Sequence, residues 1–272
     1  MGKFDGILLV SDLDETLLTR DKRISDGNRA AIQRFTAEGG TFTYVTGRIP
    51  VGMQAVLDQM TPEVPVGCIN GGGIYDPKTK TYVWSAKLDP AAEMLVDFVY
   101  REFPDVGIEL CGYYEAWFLR MTPLTEAHRQ IERIPCVTAT YQEVADRLSK
   151  VVLVIEADRL KLVADALQKH PVADQFDFVQ STSQYYEILP KGVSKGTVLL
   201  RMADLFGIDR RKTVAVGDNN NDLSMLQAAG LGVAVANATP YAKSAADLVL
   251  DRTNDEDAIA ELIERLEREL PF

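Results

Sequence analysis

The sequence has little cysteine and no long apolar run. Its 272 residues include three cysteines, Cys68, Cys111 and Cys136, which are widely separated and odd in number. Neither a disulfide framework nor a zinc knuckle is therefore expected. No apolar run approaches the roughly 18–20 residues of a membrane span, and residues 1–12 lack the apolar stretch of a secretory signal. These absences predict a reduced, cytoplasmic protein with no membrane partner.

Positive charge is also scarce. Lysine and arginine number 29 against 40 aspartates and glutamates, which gives a net charge of -11. This balance argues against a nucleic-acid partner, because such binding needs clustered cations. Neither a P-loop nor a dinucleotide-binding glycine pattern occurs. The composition is that of a globular protein, with 46% hydrophobic residues, and we expect a monomer or a weak homo-oligomer.

Apolar strands and helices alternate at both ends of the chain. Strands are predicted over 6–11, 41–46 and 66–70, linked by helices, and the same rhythm returns from residue 194. Such alternation favours an α/β fold with a parallel sheet covered on both faces. The intervening residues instead suggest hairpins mixed with helices, an α+β insertion. We therefore predict one Rossmann-like parallel-sheet core domain, interrupted by an α+β cap domain.

Two carboxylates, Asp12 and Asp14, directly follow the first predicted strand. Residues two apart in extended chain share a face, so both point the same way. A close carboxylate pair invites a cation or a shared proton. A solvated turn would explain the same residue types, since aspartate is common in turns.

Polar residues also follow later strands or open helices. Thr46 and Gly47 end the second strand, where a hydroxyl and a backbone N–H can hold a phosphate oxygen. Lys195 opens a helix, a position that the helix dipole disfavours unless an anion is bound there. The run 217–222 follows another apolar strand and concentrates the hard oxygen ligands that suit magnesium. Taken singly, each pattern is also compatible with an ordinary turn, loop or helix cap.

Together and in this order, the four groups resemble the haloacid dehalogenase-like phosphohydrolase superfamily. Its motifs are an Asp-x-Asp-x-Thr loop, a Ser or Thr, a Lys, and a Gly-Asp-x-x-x-Asp loop. The closest subgroup is the Cof-like phosphatases, which residues 70–72, 187–192, 217–225 and 235–238 also resemble. The resemblance covers the whole chain and implies a catalytic core domain of 1–82 and 191–272 with a cap of 83–190. Glu15 stands where the subgroup usually carries glycine.

The resemblance implies a role for each motif residue. Asp12 would be the nucleophile that forms an aspartyl-phosphate, and Asp14 the acid and base. Mg2+ would be held by Asp12, the backbone carbonyl of Asp14, and Asp218, with Asp222 supporting Lys195 or the metal's waters. The residues expected to hold the phosphoryl oxygens are Thr46, Gly47, Lys195 and Asn221.

The substrate is expected to be a small phosphorylated metabolite. Hexose or pentose phosphates are the first choice, with pyridoxal phosphate and flavin mononucleotide as alternatives. A phosphomutase and a non-catalytic sugar-phosphate sensor are the competing functions. The predicted lining of the cap is polar and aromatic: Tyr113, Tyr114, Glu115, Tyr185, Tyr186 and Glu187.

Overall fold

The computed structural model describes residues 2–269, which separate into two compact units. Unit 1 is formed by 2–47, 54–84 and 194–269, and unit 2 by 48–53 and 85–193. Within these residues, no helix is both long and apolar enough to cross a membrane. The assignment of a catalytic role to 1–82 and 191–272, and of a cap role to 83–190, stays a prediction.

Both units contain strands and α-helices, and in unit 1 the two kinds of element alternate along most of the chain. The strands are β1 (Leu8–Ser11), β2 (Thr41–Tyr44), β3 (Val66–Cys68), β4 (Gly73–Asp76), β5 (Thr81–Ser85), β6 (Gly107–Gly112), β7 (Ala116–Arg120), β8 (Leu148–Val154), β9 (Phe176–Gln180), β10 (Tyr185–Pro190), β11 (Thr213–Gly217), β12 (Leu231–Ala234) and β13 (Leu248–Val249). The α-helices are α1 (Asp26–Ala37), α2 (Pro50–Leu57), α3 (Ala92–Glu102), α4 (Pro123–Glu132), α5 (Tyr141–Val144), α6 (Leu160–Gln168), α7 (Lys195–Phe206), α8 (Leu223–Ala228), α9 (Pro240–Ala245) and α10 (Ala258–Arg268).

The main sheet of unit 1 is parallel and has the strand order β13-β12-β11-β1-β2. Its middle strands are mostly apolar, and every residue of β1 and β11 is buried. This is the pattern of a sheet that is covered on both faces. The predicted α/β class is confirmed, and the carboxyl ends of β1 and β11 lie side by side.

The third predicted strand differs from the expectation. It was predicted over 66–70 as part of the parallel sheet, but β3 ends at Cys68 and pairs antiparallel with β4. A single bridge between Val45 and Gly67 retains the parallel direction. The chain turns back because residues 69–71 all have positive φ, which ends an extended strand.

Unit 2 contains an antiparallel sheet of order β7-β6-β8-β10-β9. One of its faces carries apolar side chains that pack with residues of α3 and α6 in a hydrophobic core. On the other face, Glu109, Val152 and Glu187 stand opposite one another across three neighbouring strands. Alternation along each strand thus separates an apolar face from a face with buried charges.

Candidate active site

Two aspartates lie at the ends of the neighbouring strands β1 and β11. The N–H of Asp12 donates to the carbonyl of Val216 at 2.9 Å, which extends the pairing of the strands by one residue. Asp218 is fixed by the Thr16 hydroxyl, which donates to its Oδ1 at 2.8 Å. Thr16 therefore joins the first acidic loop to the last one, although 202 residues separate it from Asp218.

Lys195 is the cation at the centre of the site. Its Nζ lies 2.6 Å from Asp12 Oδ1 and 2.6 Å from Asp222 Oδ1, and its side chain is fully buried. Lys195 is the first residue of α7, which Ser194 caps by accepting from the N–H of Thr197. The fold therefore places the ammonium against two carboxylates at a helix end that would repel it by itself.

Asp222 organises the loop that follows β11. Besides accepting from Lys195, it accepts from the N–H groups of Asp218 and Asn219, both at 3.0 Å. A carboxylate with this many donors orients its neighbours. Both of its oxygens have protein donors, so Asp222 has less capacity for a further ligand than Asp12 or Asp218.

Burial and mutual repulsion raise the pKa values of Asp12 and Asp218. Burial, and then the charges of Asp222 and Asp14, raise the pKa of Asp12 to about 7, against the opposing effect of Lys195. Burial and the charges of Asp222 and Asp12 raise the pKa of Asp218 to about 8. Burial would lower the pKa of Lys195, but Asp12 and Asp222 outweigh it and raise that pKa. The cluster is thus short of positive charge.

The same three carboxylates are suited to a metal ion. One oxygen each from Asp12, Asp218 and Asp222 lies within 4.8 Å of the others, and all three residues are buried. Hard oxygen donors with an excess of negative charge fit a hard divalent cation such as Mg2+. These three residues therefore fit a divalent metal ion.

The side chain of Asp14 lies apart from this cluster. Its Oδ1 is 2.9 Å from Nζ of Lys22, and 35% of its side chain is exposed. Lys22 is also 3.6 Å from Oε1 of Glu15, a residue with a φ of 57°. Glu15 therefore shares Lys22 with Asp14. Asp12 and Asp14, which are two residues apart, thus lie in very different surroundings: Asp12 is buried beside Lys195, and Asp14 is partly exposed beside Lys22.

The residues predicted to hold phosphate belong to three segments of unit 1. Thr46 is buried just beyond β2, and its N–H donates to the carbonyl of Gly67 at 3.1 Å. Asn221, in the loop after β11, donates from Nδ2 to Oδ1 of Asn70 at 3.1 Å. Asn70 also lies against Gly47, where a side chain would begin 3.1 Å from both of its amide atoms. Asn70 belongs to the motif 70–72, for which the sequence predicts no function of its own.

Only some of the residues predicted to line the cap lie on the same face of the unit 2 sheet. Tyr186 packs in the hydrophobic core, where its ring stacks on Phe178 at 5.7 Å. Tyr114 is 53% exposed, and Glu115 forms an exposed ion pair with Arg147. The prediction of a shared lining was wrong for Tyr186, because adjacent strand residues point to opposite faces.

Sequence reasoning missed other charged residues on the opposite face of this sheet. Lys150 lies 2.7 Å from Glu187, with both side chains buried. Glu109 bonds through Oε1 to Nδ1 of His128 at 2.8 Å, and its Oε2 is buried without a partner among the described residues. The signal that could have found them is a charged residue at an inward position of an otherwise apolar strand.

Comparisons with known proteins agree with this fold. Residues 9–263 match the family model of the haloacid dehalogenase-like hydrolases. A putative phosphatase of Haemophilus influenzae is 29% identical over 267 residues, which cover 93% of this chain and 95% of that protein. The 5-amino-6-(5-phospho-D-ribitylamino)uracil phosphatase YwtE of Bacillus subtilis is 28% identical over 282 residues, covering 94% of this chain and 96% of that one.

A solved structure extends the likeness to three dimensions. The haloacid dehalogenase-like hydrolase from Bacteroides thetaiotaomicron superposes with a TM-score of 0.83 at 26% identity, covering 96% of this chain and 99% of that one. Fold, acidic site and relatives define a phosphoric monoester hydrolase. The chain belongs to the haloacid dehalogenase-like hydrolases, and the predicted Cof-like type is confirmed.

Proposed function

We propose that this protein is a magnesium-dependent phosphatase that hydrolyses small phosphorylated metabolites, most suitably sugar phosphates, through an aspartyl-phosphate. The observation that carries the proposal is the buried cluster of Asp12, Asp218 and Asp222 around Lys195. A phosphate monoester is an anion, and a carboxylate can attack it only where cations offset the repulsion.

In the first step, an oxygen of Asp12 attacks phosphorus and the bond from phosphorus to the leaving oxygen breaks. Lys195 fixes the Asp12 carboxylate through its 2.6 Å contact and offsets part of the charge. Asp14 delivers its proton to the leaving oxygen, so the alcohol leaves neutral. Its partly exposed position, outside the buried cluster, suits a group that must gain and lose a proton.

In the second step, water attacks phosphorus of the aspartyl-phosphate. Asp14 takes the proton from this water, inorganic phosphate leaves, and Asp12 is regenerated as a carboxylate. Thr46, Gly47, Lys195 and Asn221 would hold the phosphoryl oxygens in both steps. Catalysis then depends mainly on fixed charges and donors placed around the transferred group.

Asp12, Asp218 and the backbone carbonyl of Asp14 would hold Mg2+, with Asp222 supporting the site through Lys195 and the loop N–H groups. The ion supplies charge neutralisation and orients a phosphoryl oxygen when bound. The excess of carboxylate over ammonium in the cluster supports this assignment. We place the enzyme in the cytoplasm, where reduced cysteines and phosphorylated metabolites are both found.

The charged face of the unit 2 sheet supports a polyhydroxylated leaving group. It offers carboxylates from Glu109 and Glu187 beside the ammonium of Lys150. A hydroxyl both donates and accepts, so it suits an alternation of acceptors and donors. Unit 2 would then be the cap that selects the substrate.

A ribityl phosphate attached to a heteroaromatic ring is a second candidate substrate. Two relatives from Bacillus subtilis are named 5-amino-6-(5-phospho-D-ribitylamino)uracil phosphatases, at 28% and 26% identity. Flavin mononucleotide also carries a ribityl phosphate. Tyr185, whose ring centroid lies 4.4 Å from that of His128, offers an aromatic surface on the charged sheet face.

A screen of phosphorylated metabolites with phosphate detection tests the function. We expect release of free phosphate in the presence of Mg2+, with no bisphosphate activator, and the highest kcat/KM for pentose, hexose or ribityl phosphates. Transfer of phosphate to a second sugar position without its release would identify a phosphomutase. Tight binding without any turnover would identify a sensor.

Asp14→Asn tests the two-step mechanism. The variant cannot activate water, so a substrate with a good leaving group should leave phosphate on Asp12. Intact-mass spectrometry should show one added phosphoryl group in this variant and none in Asp12→Asn. Substrate cleavage by Asp14→Asn without any phosphoryl adduct would contradict the aspartyl-phosphate.

A further inference from the structure

Residues 69–71 form a strained loop that the proposed chemistry does not use. Ile69, Asn70 and Gly71 follow β3 with φ values of 58°, 50° and 103°. Left-handed backbone is unusual for a β-branched residue, and each such non-glycine residue costs about 1–3 kcal/mol. Such a conformation persists only where surrounding contacts hold it.

The loop contacts the segment that carries Thr46 and Gly47. The N–H of Asn70 donates to the carbonyl of Thr46 at 3.0 Å. The amide of Asn70 lies so close to Gly47 that a side chain there would begin 3.1 Å from Nδ2 and from Oδ1. Asn70 therefore fixes the backbone of the first phosphate-binding segment.

The loop also contacts the start of α7, which carries Lys195. A side chain at Gly71 would begin 2.1 Å from the carbonyl oxygen of Ser194 and 3.1 Å from the nitrogen of Lys195. Only glycine allows this approach, both for its space and for its φ. The second phosphate-binding segment is therefore packed directly against the loop.

The loop 69–71 contacts the third phosphate-binding segment, the loop after β11, through a side-chain hydrogen bond. Oδ1 of Asn70, which is 1% exposed, accepts from Nδ2 of Asn221. The other amide atom of Asn221, Oδ1, is buried and has no partner among residues 2–269. An asparagine amide can make the shared bond in either direction, because it has one donor end and one acceptor end.

We propose that Asn70 is a positioning residue of the phosphate site, which fixes the backbone of Gly47 and the amide of Asn221. This inference rests on the proposed function, since it assumes that Asn221 holds a phosphoryl oxygen. Asn221 must then present Nδ2, a donor, to the anion. If both amides are turned over, Nδ2 of Asn70 would donate to Oδ1 of Asn221 in place of the observed bond, and this oxygen would gain the partner that it lacks.

The experiment measures binding of inorganic phosphate to the full chain with Mg2+ by calorimetry. Asn70→Gly keeps the left-handed backbone and removes the amide, and we expect about tenfold weaker binding because one ordered donor to an anion is lost. Asn70→Asp also tolerates this backbone but cannot donate, so binding should weaken about a hundredfold through wrong polarity and added negative charge.

Asn28→Asp is the matched control. Asn28 is equally buried, and its Oδ1 accepts from the N–H of Ala260 at 2.9 Å, in contact with α10 rather than with Asn221. We expect this variant to lower the melting temperature but to bind phosphate within about twofold of wild type, as distant sites act independently. A comparable loss of phosphate binding in the control would overturn the proposal.

A double-mutant cycle with Asn221→Ala separates positioning from general destabilisation. If Asn70 acts through Asn221, Asn70→Gly should weaken binding less in the Asn221→Ala background than in wild type. Equal losses in both backgrounds, or wild-type binding by Asn70→Gly, would overturn the proposal. Phosphate binding by a wild type that releases no phosphate from any monoester would sink the proposed function alone, whereas absence of phosphate binding would sink both.

Discussion

The two units bury charge in opposite ways. In unit 1, Asp12, Asp218 and Asp222 surround a single ammonium, that of Lys195. In unit 2, Lys150 pairs with Glu187 at 2.7 Å, and Glu109 pairs with His128 at 2.8 Å. One unit therefore holds more carboxylates than cations in its interior, while the other pairs each buried carboxylate with a base.

The pKa values follow this difference. Burial raises the pKa of Asp12 and Asp218, so the metal-free fold resists their ionisation. In unit 2, the carboxylates overcome the effect of burial and raise the pKa of Lys150 and His128, so the charged bases are favoured. An unbalanced buried cluster favours an added cation, whereas in unit 2 each of these two buried carboxylates already has a base beside it.

Asp12→Asn should have the largest effect of any single change. The amide keeps the shape but is a poor nucleophile, so kcat should fall by about 10⁴-fold or more. Phosphate release measures it, with Asp97→Asn, an exposed aspartate of α3, as the control that keeps full turnover. Near-normal turnover by purified Asp12→Asn would show that another residue attacks phosphorus.

Replacing each buried lysine by methionine compares the two units directly. Lys195→Met and Lys150→Met both leave buried carboxylates unpaired, which costs about 3–5 kcal/mol for a pair. The free energy of unfolding should fall more for Lys195→Met than for Lys150→Met, because Lys195 pairs with two carboxylates and Lys150 with one. Urea unfolding in EDTA measures the difference.

A second change sharpens this test. Adding Glu187→Leu to Lys150→Met removes the orphaned charge and should recover stability. Adding Asp222→Leu to Lys195→Met should not, because Asp12 and Asp218 stay unbalanced. Equal recovery in both units would show that the two clusters are energetically alike.

Magnesium should stabilise the protein, and more so at higher pH. The pKa values of Asp12 and Asp218 are raised from 3.8 to about 7 and about 8, so in EDTA their contribution to stability is fully present below about pH 4 and is lost as the pH rises towards 8. Saturating Mg2+ should restore about 2–3 kcal/mol near pH 8 and much less near pH 5. Thermal unfolding with and without Mg2+ measures this, and Asp218→Asn should lose most of the effect.

His128→Gln should have the smallest effect on stability of these changes. Its pH dependence should come from a base that is favoured in its charged form, whereas that of Asp12 and Asp218 comes from acids that resist ionisation. Burial lowers the pKa of His128, but its bond to Glu109 outweighs this and raises it. The bond's contribution is fully present below about pH 6.5 and is lost as pH rises through the raised pKa. Wild type should exceed the variant in stability by about 1 kcal/mol more at pH 5.5 than at pH 9, the gain of a charge-assisted bond. A pH-independent difference would contradict this.

The sequence predicts the elements of unit 1 better than the side-chain contacts of unit 2. Asp12 and Asp218 could be placed because each directly follows an apolar strand, and the ends of parallel strands lie at one edge. The left-handed backbone of residues 69–71 could not be predicted, because nothing in the local sequence requires a positive φ at Ile69. That conformation depends on contacts with Thr46 and Ser194, which are distant in sequence.

The charged face of unit 2 was missed for a similar reason. Glu109 and Lys150 each interrupt an apolar strand, and a single sequence does not show which partner compensates them. The partners His128 and Glu187 are 19 and 37 residues away. Long-range pairing decides such contacts, while local pattern decides only which residues share a face.

The division of unit 1 among three segments has a consequence for synthesis on the ribosome. Asp12 is made early, but its partner Lys195 follows 183 residues later, and Asp218 lies 202 residues beyond Thr16. The main segment of unit 2, residues 85–193, is continuous and emerges before either partner. Domains generally fold as units while the chain is made. A nascent chain that stops before Lys195 therefore carries Asp12, the proposed nucleophile, but not the ammonium that pairs with it, and the cluster is completed only as the last third of the protein is translated.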